Sequence, residues 1–307
     1  MFFCFDNHFN QFGIISDLWY YKNMGNEIKY LPLEVVFNGL VELAKENNFN
    51  SVESIKWIMV KVLRLKRDQF DDIIQVDEPS FDNMKKALIK HINGETLGKI
   101  FGFIEFYGNF FNVTDNVFDP RLSTEALVDA VLNCENVKMD NCQIVDLCTG
   151  SGCVAITLSK QLNKMVNGVD ISPFALEIAK ENNAKINAQA NFFQMDLNND
   201  WQMYFNNKYD VIVSNPPYWN SAKILANAEV VNSNPLIGFD GGEDGLHYIR
   251  RIIQMSPKFL NNNGLLFLEI EPDQEQNIRQ FLRDNFCDIK TYLDHRNITR
   301  VISARLK

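Results

Sequence analysis

The chain is 307 residues long, with a formal net charge of -9, a pI near 5.1, 46% hydrophobic and 12% aromatic residues. Such a chain can fill one large core or two smaller ones. Its acidic balance argues against broad phosphate binding, because nucleic-acid binders normally carry a basic face that releases counterions.

The first thirty residues mix Phe2, Phe3, Phe5, Phe9 and Phe12 with Asp6, His8 and Asn10, which leaves no signal-peptide core. We expect a loosely attached extension over 1–30, with Met24 as an alternative start. Every apolar stretch in the chain is broken by Asn, Asp or Lys before the roughly 18 residues a membrane span requires. From Leu31 to Asn93 apolar residues recur at helical spacing, first Val35, Val36, Leu40 and Leu43, then Val52, Ile55, Ile58, Val62 and Leu63. This predicts a small helical domain over 31–93. Asn50 with Glu53 stands at the spacing of an N-cap and its acidic partner, and Ser80 with Asp82 marks a further helix start. Between 94 and 119 aromatic and β-branched residues surround Gly102 and Gly108, which predicts a β-hairpin linker.

The rest of the chain, 120–307, alternates helix and strand. Helices are expected near Thr124 to Leu132, from Gly152 and from Pro173. Strands are expected at Gln143 to Leu147, up to Asp170, at Asn191 to Gln194, Tyr209 to Ser214 and Leu265 to Ile270. Short apolar strands separated by helices predict a doubly wound α/β sheet covered on both faces. Two last strands, Ile289 to Leu293 and Arg300 to Ala304, are joined through Asp294-His295-Arg296-Asn297 and predict an antiparallel pair at one edge. Cys4, Cys134, Cys142, Cys148, Cys153 and Cys287 contain no CxxC pair, which suits reduced thiols in the cytoplasm. The histidines His8, His91, His247 and His295 lack ligand spacing, so no metal site is expected.

Ile144-Val145-Asp146-Leu147 runs into Cys148-Thr149-Gly150-Ser151-Gly152, a strand followed by a glycine-rich turn and a helix. Glycines there let the backbone approach a ligand closely. The third glycine of a dinucleotide fingerprint is missing. Two glycines with an acidic residue at the strand end fit a small cofactor that carries an amino acid moiety. Asp170 ends the next strand, where a carboxylate can accept both hydroxyls of a ribose. Asp196 follows the third strand and is placed near an adenine, with Leu197 or Phe193 lining the ring. Three acids in register with the turn predict a nucleoside cofactor, and S-adenosylmethionine is favoured over NAD by the segment that follows.

That segment is Val211-Ile212-Val213-Ser214-Asn215-Pro216-Pro217-Tyr218. Prolines cannot continue a sheet ladder, so they fix a rigid turn at the carboxyl end of the strand, the edge where open α/β sheets bind ligands. The Asn215 side-chain oxygen and the Pro216 carbonyl then supply two acceptors for one NH2 group, with Tyr218 stacked on its plane. An amide nitrogen is a poor nucleophile, so holding both N–H bonds and aiming the lone pair is the main gain available, worth roughly 7 to 11 kcal/mol when alignment is tight. An adenine amino group presents the same two N–H bonds, so an amide and a base both fit at this point.

With these residues assembled, the sequence resembles the HemK/PrmC family of protein-glutamine N5-methyltransferases from about Leu40 to the end. The linker of that family is matched by Gly94-Glu95-Thr96-Leu97 through Gly102, by Glu105-Phe106-Tyr107-Gly108, and by Pro120-Arg121 with Thr124-Glu125. Later blocks are matched by Gly241-Gly242-Glu243-Asp244-Gly245-Leu246, Leu268-Glu269-Ile270 with Gln274, and Arg300-Val301.

The resemblance implies a Rossmann-like class I methyltransferase sheet with an antiparallel edge strand, and S-adenosyl-L-methionine as cofactor. It places that cofactor on Cys148, Thr149, Gly150, Ser151, Gly152, Asp170, Asp196, Leu197 and Asn215. Asn215, Pro216, Pro217 and Tyr218 would hold the substrate, the glutamine of the Gly-Gly-Gln motif in peptide-chain release factors. It further implies that the helical domain docks a protein substrate, and that the enzyme is a cytoplasmic monomer with no membrane or sequence-specific nucleic-acid partner. Departures stand at Thr96, Leu122-Ser123, Cys148, Asn234 and Glu271-Pro272. Cys148 replaces a usual glycine and resembles related enzymes that act on a large-subunit ribosomal protein. Arg250-Arg251 reads as a solvated helix face or an RNA contact, and Arg121 as a residue near both ligands.

Overall fold

The computed structural model describes residues 30–65, 75–139, 141–227 and 234–307; the expectations for the first 29 residues lie outside them. The chain divides into two compact units at Ile100 and Phe101.

In the first unit, β1 (Tyr30–Pro32) pairs antiparallel with β2 (Gln75–Asp77), a small ribbon that hydropathy did not announce. Three helices follow the predicted spacing: α1 (Leu33–Glu46), α2 (Val52–Val62) and α3 (Glu78–Ile92). They bury Val36, Leu40, Ile55, Ile58, Met84 and Leu88 almost completely. Two helix starts differ from expectation. Ser51 rather than Asn50 caps α2, its hydroxyl accepting from the Ser54 amide at 3.2 Å. Asp77 rather than Ser80 caps α3, accepting from the Ser80 amide at 2.7 Å, and Pro79 in the first turn supplies a ring-fixed φ suited to that position. A short helix, α4 (Leu97–Phe101), precedes a tight hairpin of β3 (Phe103–Phe106) and β4 (Asn109–Asn112).

The hairpin opens the second unit, in which a 3-10 turn (Leu122–Thr124) leads into α5 (Glu125–Leu132). The sheet then assembles from β5 (Ile144–Leu147), β6 (Val166–Asp170), β7 (Ala190–Gln194), β8 (Tyr209–Ser214), β9 (Leu260–Glu269), β10 (Phe286–Leu293) and β11 (Thr299–Leu306). Its strand order is β10-β11-β9-β8-β5-β6-β7. The five strands from β9 to β7 are parallel, whereas β11 runs antiparallel to both β9 and β10. The antiparallel pair is where it was expected, with β10 outermost.

Both faces of the sheet are covered, and side chains alternate between them as the pleat requires. Val211 and Val213 join Ile144, Phe267 and Leu127 on one side, while Ile212 joins Val145, Leu268 and Trp201 on the other. Helices α6 (Cys153–Leu162), α7 (Pro173–Ile186), α8 (Ser221–Ala226), α9 (His247–Phe259) and α10 (Glu275–Leu282) complete the unit. β9 begins at Leu260 rather than Leu265, because a register shift opposite Tyr209 and Val211 and a left-handed Asn263 let the chain keep pairing through the irregularity.

Register decides where chemistry gathers. Leu147 pairs with both Val169 and Ser214, and Ser214 pairs with Leu268. The next residues along these parallel strands, Asp170, Cys148, Asn215 and Glu269, therefore leave four neighbouring strands at one level. The chain goes from β5 to β6 on one side and returns to β8 on the other, so this row lies at the switch point where an open α/β sheet forms its crevice.

Candidate active site

A cavity of about 450 Å³ opens at that edge. Its first wall is the glycine turn. Cys148, Gly150 and Gly152 have φ values of 59°, 55° and 80°, all in the left-handed region that disfavours a side chain. Cys148, Thr149, Gly150 and Ser151 line the cavity, and Gly152 does not. A Cβ on Gly152 would lie 2.8 Å from Ile156 and 3.0 Å from Phe192, so this glycine serves the packing of α6 rather than a ligand. Gly168, unremarked in the sequence, is bound by the same crowding, since a Cβ there would stand 2.6 Å from Phe192.

Asp146 is buried beneath the turn and holds it, accepting from the Thr149 hydroxyl at 2.6 Å and the Ala155 amide at 3.2 Å. Burial pushes its carboxyl up to about 7 despite those two bonds. Asp170 accepts from the Gly150 amide through one oxygen and from the Ser172 amide through the other, each at 2.9 Å. Burial raises its carboxyl as well, although part of the side chain faces the cavity. Cys148 keeps its proton, because burial and the neighbouring Asp170 and Asp146 push its thiol well up.

Asp196 and Leu197 line the cavity and Phe193 does not; its ring packs edge-on to Phe205 in the core. Ile171, Ser172 and Ala175 line the cavity as well. These were missed, because a residue just past a strand end carries no periodic signal. The 197–199 loop is held from outside by Arg251, whose guanidinium donates to the carbonyls of Leu197 at 2.8 Å, Asn198 at 3.2 Å and Asn199 at 2.7 Å. Arg250 instead forms a two-bond pair with Asp244 at 2.7 and 3.0 Å. The two arginines thus do different work, and neither extends as a free basic face.

Asn215, Pro217 and Tyr218 also line the cavity. Pro216, between them in sequence, is buried and is not among the lining residues. The Asn215 amide nitrogen donates to the Thr124 hydroxyl at 3.2 Å, which turns its oxygen edge the other way. The Tyr218 hydroxyl donates to Glu269 at 3.0 Å, and its backbone carbonyl accepts from the Gln274 side chain at 2.8 Å. Gln274 also donates to the Gly245 carbonyl at 3.2 Å, and any Cβ on Gly245 would strike the Tyr218 carbonyl at 2.5 Å. The family-like blocks around Gly241 and Gln274 are thereby explained as the hold on this loop.

Phe118, Trp219 and Phe239 form an aromatic cluster in the cavity lining, with the Arg121 guanidinium 4.9 Å above the Phe118 ring. Among the described residues no group of three or more His, Cys, Asp or Glu is arranged to hold a metal ion, and no helix is long and apolar enough to cross a membrane.

Comparison with known proteins gives a consistent picture. Residues 122–230 match the family model "Methyltransferase small domain". The chain is 32% identical over 271 residues to the release factor glutamine methyltransferase of Geobacter sulfurreducens, covering 86% of this chain and 93% of that protein. It is 35% identical over 222 residues to the protein of that name from Koribacter versatilis, covering 72% and 78%. A third similar protein, the release factor glutamine methyltransferase of Bacillus cereus, is 28% identical over 91% of this chain and 99% of its own length.

Proposed function

This chain belongs to the family of release factor glutamine methyltransferases, and on that footing we propose that its own substrate is the Gly-Gly-Gln glutamine of a peptide-chain release factor. The reaction transfers a methyl group from S-adenosylmethionine to the side-chain amide nitrogen of a protein glutamine. One observation carries the assignment of the site: Cys148 to Ser151 of the glycine turn and Asn215, Pro217 and Tyr218 follow the register partners Leu147 and Ser214 and line one cavity.

The residues present fit the cofactor. Asp146, Asp170 and Asp196 give the cavity acidic groups to balance a positive ligand, Asp170 retains lone pairs for a ribose, and Ile171 and Leu197 offer apolar surface to a base. When bound, S-adenosylmethionine supplies a methyl on a positively charged sulfur. The chain's own part is alignment. Asn215 accepts one N–H of the glutamine amide, while Pro217 and Tyr218 flank its plane. The aligned amide nitrogen would receive the methyl group that the bound cofactor supplies, and the surplus proton of that nitrogen would leave to water. We assign docking of the protein substrate to 31–93. Deleting the residues before Gly94 is expected to weaken methylation of whole release factor far more than cofactor binding.

The test is incubation with labelled S-adenosylmethionine and purified release factor, ribosomal proteins or nucleic acid, with the label located by mass spectrometry. Label on the release-factor glutamine is expected. Label confined to a ribosomal protein or to adenine would overturn the reading.

A further inference from the structure

Glu269 ends β9 with no exposed surface, and the transfer described above does not use it. Its place in the row of strand ends puts it beside Asn215. One carboxylate oxygen accepts the Tyr218 hydroxyl at 3.0 Å, and the other has no hydrogen-bond partner. The Thr124 hydroxyl lies close enough to favour the charged carboxylate, and that same oxygen accepts from the Asn215 amide nitrogen at 3.2 Å. The buried acid is thus bonded directly to Tyr218 at one end of the Asn-Pro-Pro-Tyr segment and lies close to Thr124, which itself holds Asn215 at the other.

The polarity of these contacts is fixed by chemistry. Once ionised, as pH rises through about 7, the Glu269 carboxylate only accepts, so the single O–H of Thr124 is drawn toward it and a Thr124 lone pair is left for Asn215. Asn215 must then offer its NH2 to Thr124 and its oxygen to the cavity. A flipped Asn215 would set two donors against the two N–H bonds of the substrate.

We propose that Glu269 is a positioning residue that selects the amide orientation of Asn215 through Thr124 and fixes Tyr218 directly, so that the segment accepts an NH2 group. This rests on the reading of that segment as the glutamine holder. Burial pushes the Glu269 carboxyl up to about 7, with Thr124, Tyr218 and Arg300 opposing the rise and Glu271 adding to it; Cys153 is a further titratable group coupled to it.

Four variants, Glu269→Gln, Thr124→Val, Thr124→Ser and the Glu269→Gln/Thr124→Val double, are compared with wild type. The readouts are kcat and KM on release factor and calorimetric affinity for S-adenosylmethionine. A hydrogen bond to a charged group is worth enough that Glu269→Gln and Thr124→Val should each lower kcat by about tenfold to a hundredfold. Cofactor affinity should fall much less than kcat, because the role proposed for both residues is orientation of the substrate-holding amide. Thr124→Ser keeps the hydroxyl and should restore kcat to near wild type. The double variant should lose little more than the worse single, as expected of residues that act through one chain of contacts. Unchanged kinetics in Glu269→Gln, equal damage from Ser and Val at 124, or parallel loss of kcat and cofactor affinity would each overturn the proposal. If wild type methylates no release factor, the functional reading falls and this proposal with it; if wild type is active and the variants behave otherwise than stated, only this proposal falls.

Discussion

The Ser214 hydroxyl donates to the Leu147 carbonyl at 2.7 Å across two strands that are also paired in register at that point. The bond ties the last residue of β8 to the last residue of β5, immediately before the Asn-Pro-Pro-Tyr segment and the glycine turn diverge. Ser214→Ala removes a buried hydrogen bond and should cost about 0.5 to 1.5 kcal/mol in urea denaturation. It should also lower kcat more than cofactor affinity, since the two walls are no longer pinned together.

Asp170→Asn keeps the shape of the side chain but gives up one acceptor oxygen and the negative charge. The amides of Gly150 and Ser172 then compete for a single oxygen. Cofactor affinity measured by calorimetry should fall about tenfold or more, in line with loss of a charge-assisted bond. Unaltered affinity would remove Asp170 from the cofactor site.

Gly152→Ala places a Cβ 2.8 Å from Ile156 at a φ of 80°. Overpacking and left-handed strain together should destabilise the protein by about 2 to 4 kcal/mol, read as a drop in thermal midpoint. At Cys148, where φ is 59°, the reverse change Cys148→Gly relieves strain. Net stabilisation of up to about 1 kcal/mol is expected once the greater freedom of glycine in the unfolded chain is counted.

Asp146 and Glu269 both sit near 7, above their ordinary values of 3.8 and 4.5. Between those limits the folded state binds protons that the unfolded state releases, so stability is full at the acidic end of the window and is lost as pH rises through about 7. Denaturation midpoints should therefore fall from pH 5 to pH 8, and Asp146→Asn should flatten that slope. Activity should run the other way, rising through about 7 as Glu269 ionises, and Glu269→Gln should abolish that rise.

Much of this was legible locally. The apolar run of β8 gave both of its ends, and the glycine turn and the two prolines announced themselves by residues that few other local structures require. What escaped was set by register. Thr124 meets Asn215 across 91 positions and Tyr218 meets Glu269 across 51, and no pattern of period 2 or 3.6 encodes such encounters. Phe193 shows the converse error: an aromatic at a strand end looks like a ligand wall, but the pleat turned it toward Phe205. The helix caps shifted by one to three residues because several capping side chains stood close together, and backbone geometry chose among them.

Gln274 holds the carbonyls of both Tyr218 and Gly245 with one amide group. Three stretches far apart in sequence are thereby inherited as one part: a bulkier residue at 245 or a shorter one at 274 displaces position 218 through its backbone carbonyl. Transplanting Asn-Pro-Pro-Tyr alone into another sheet would carry the acceptor and leave behind what aims it.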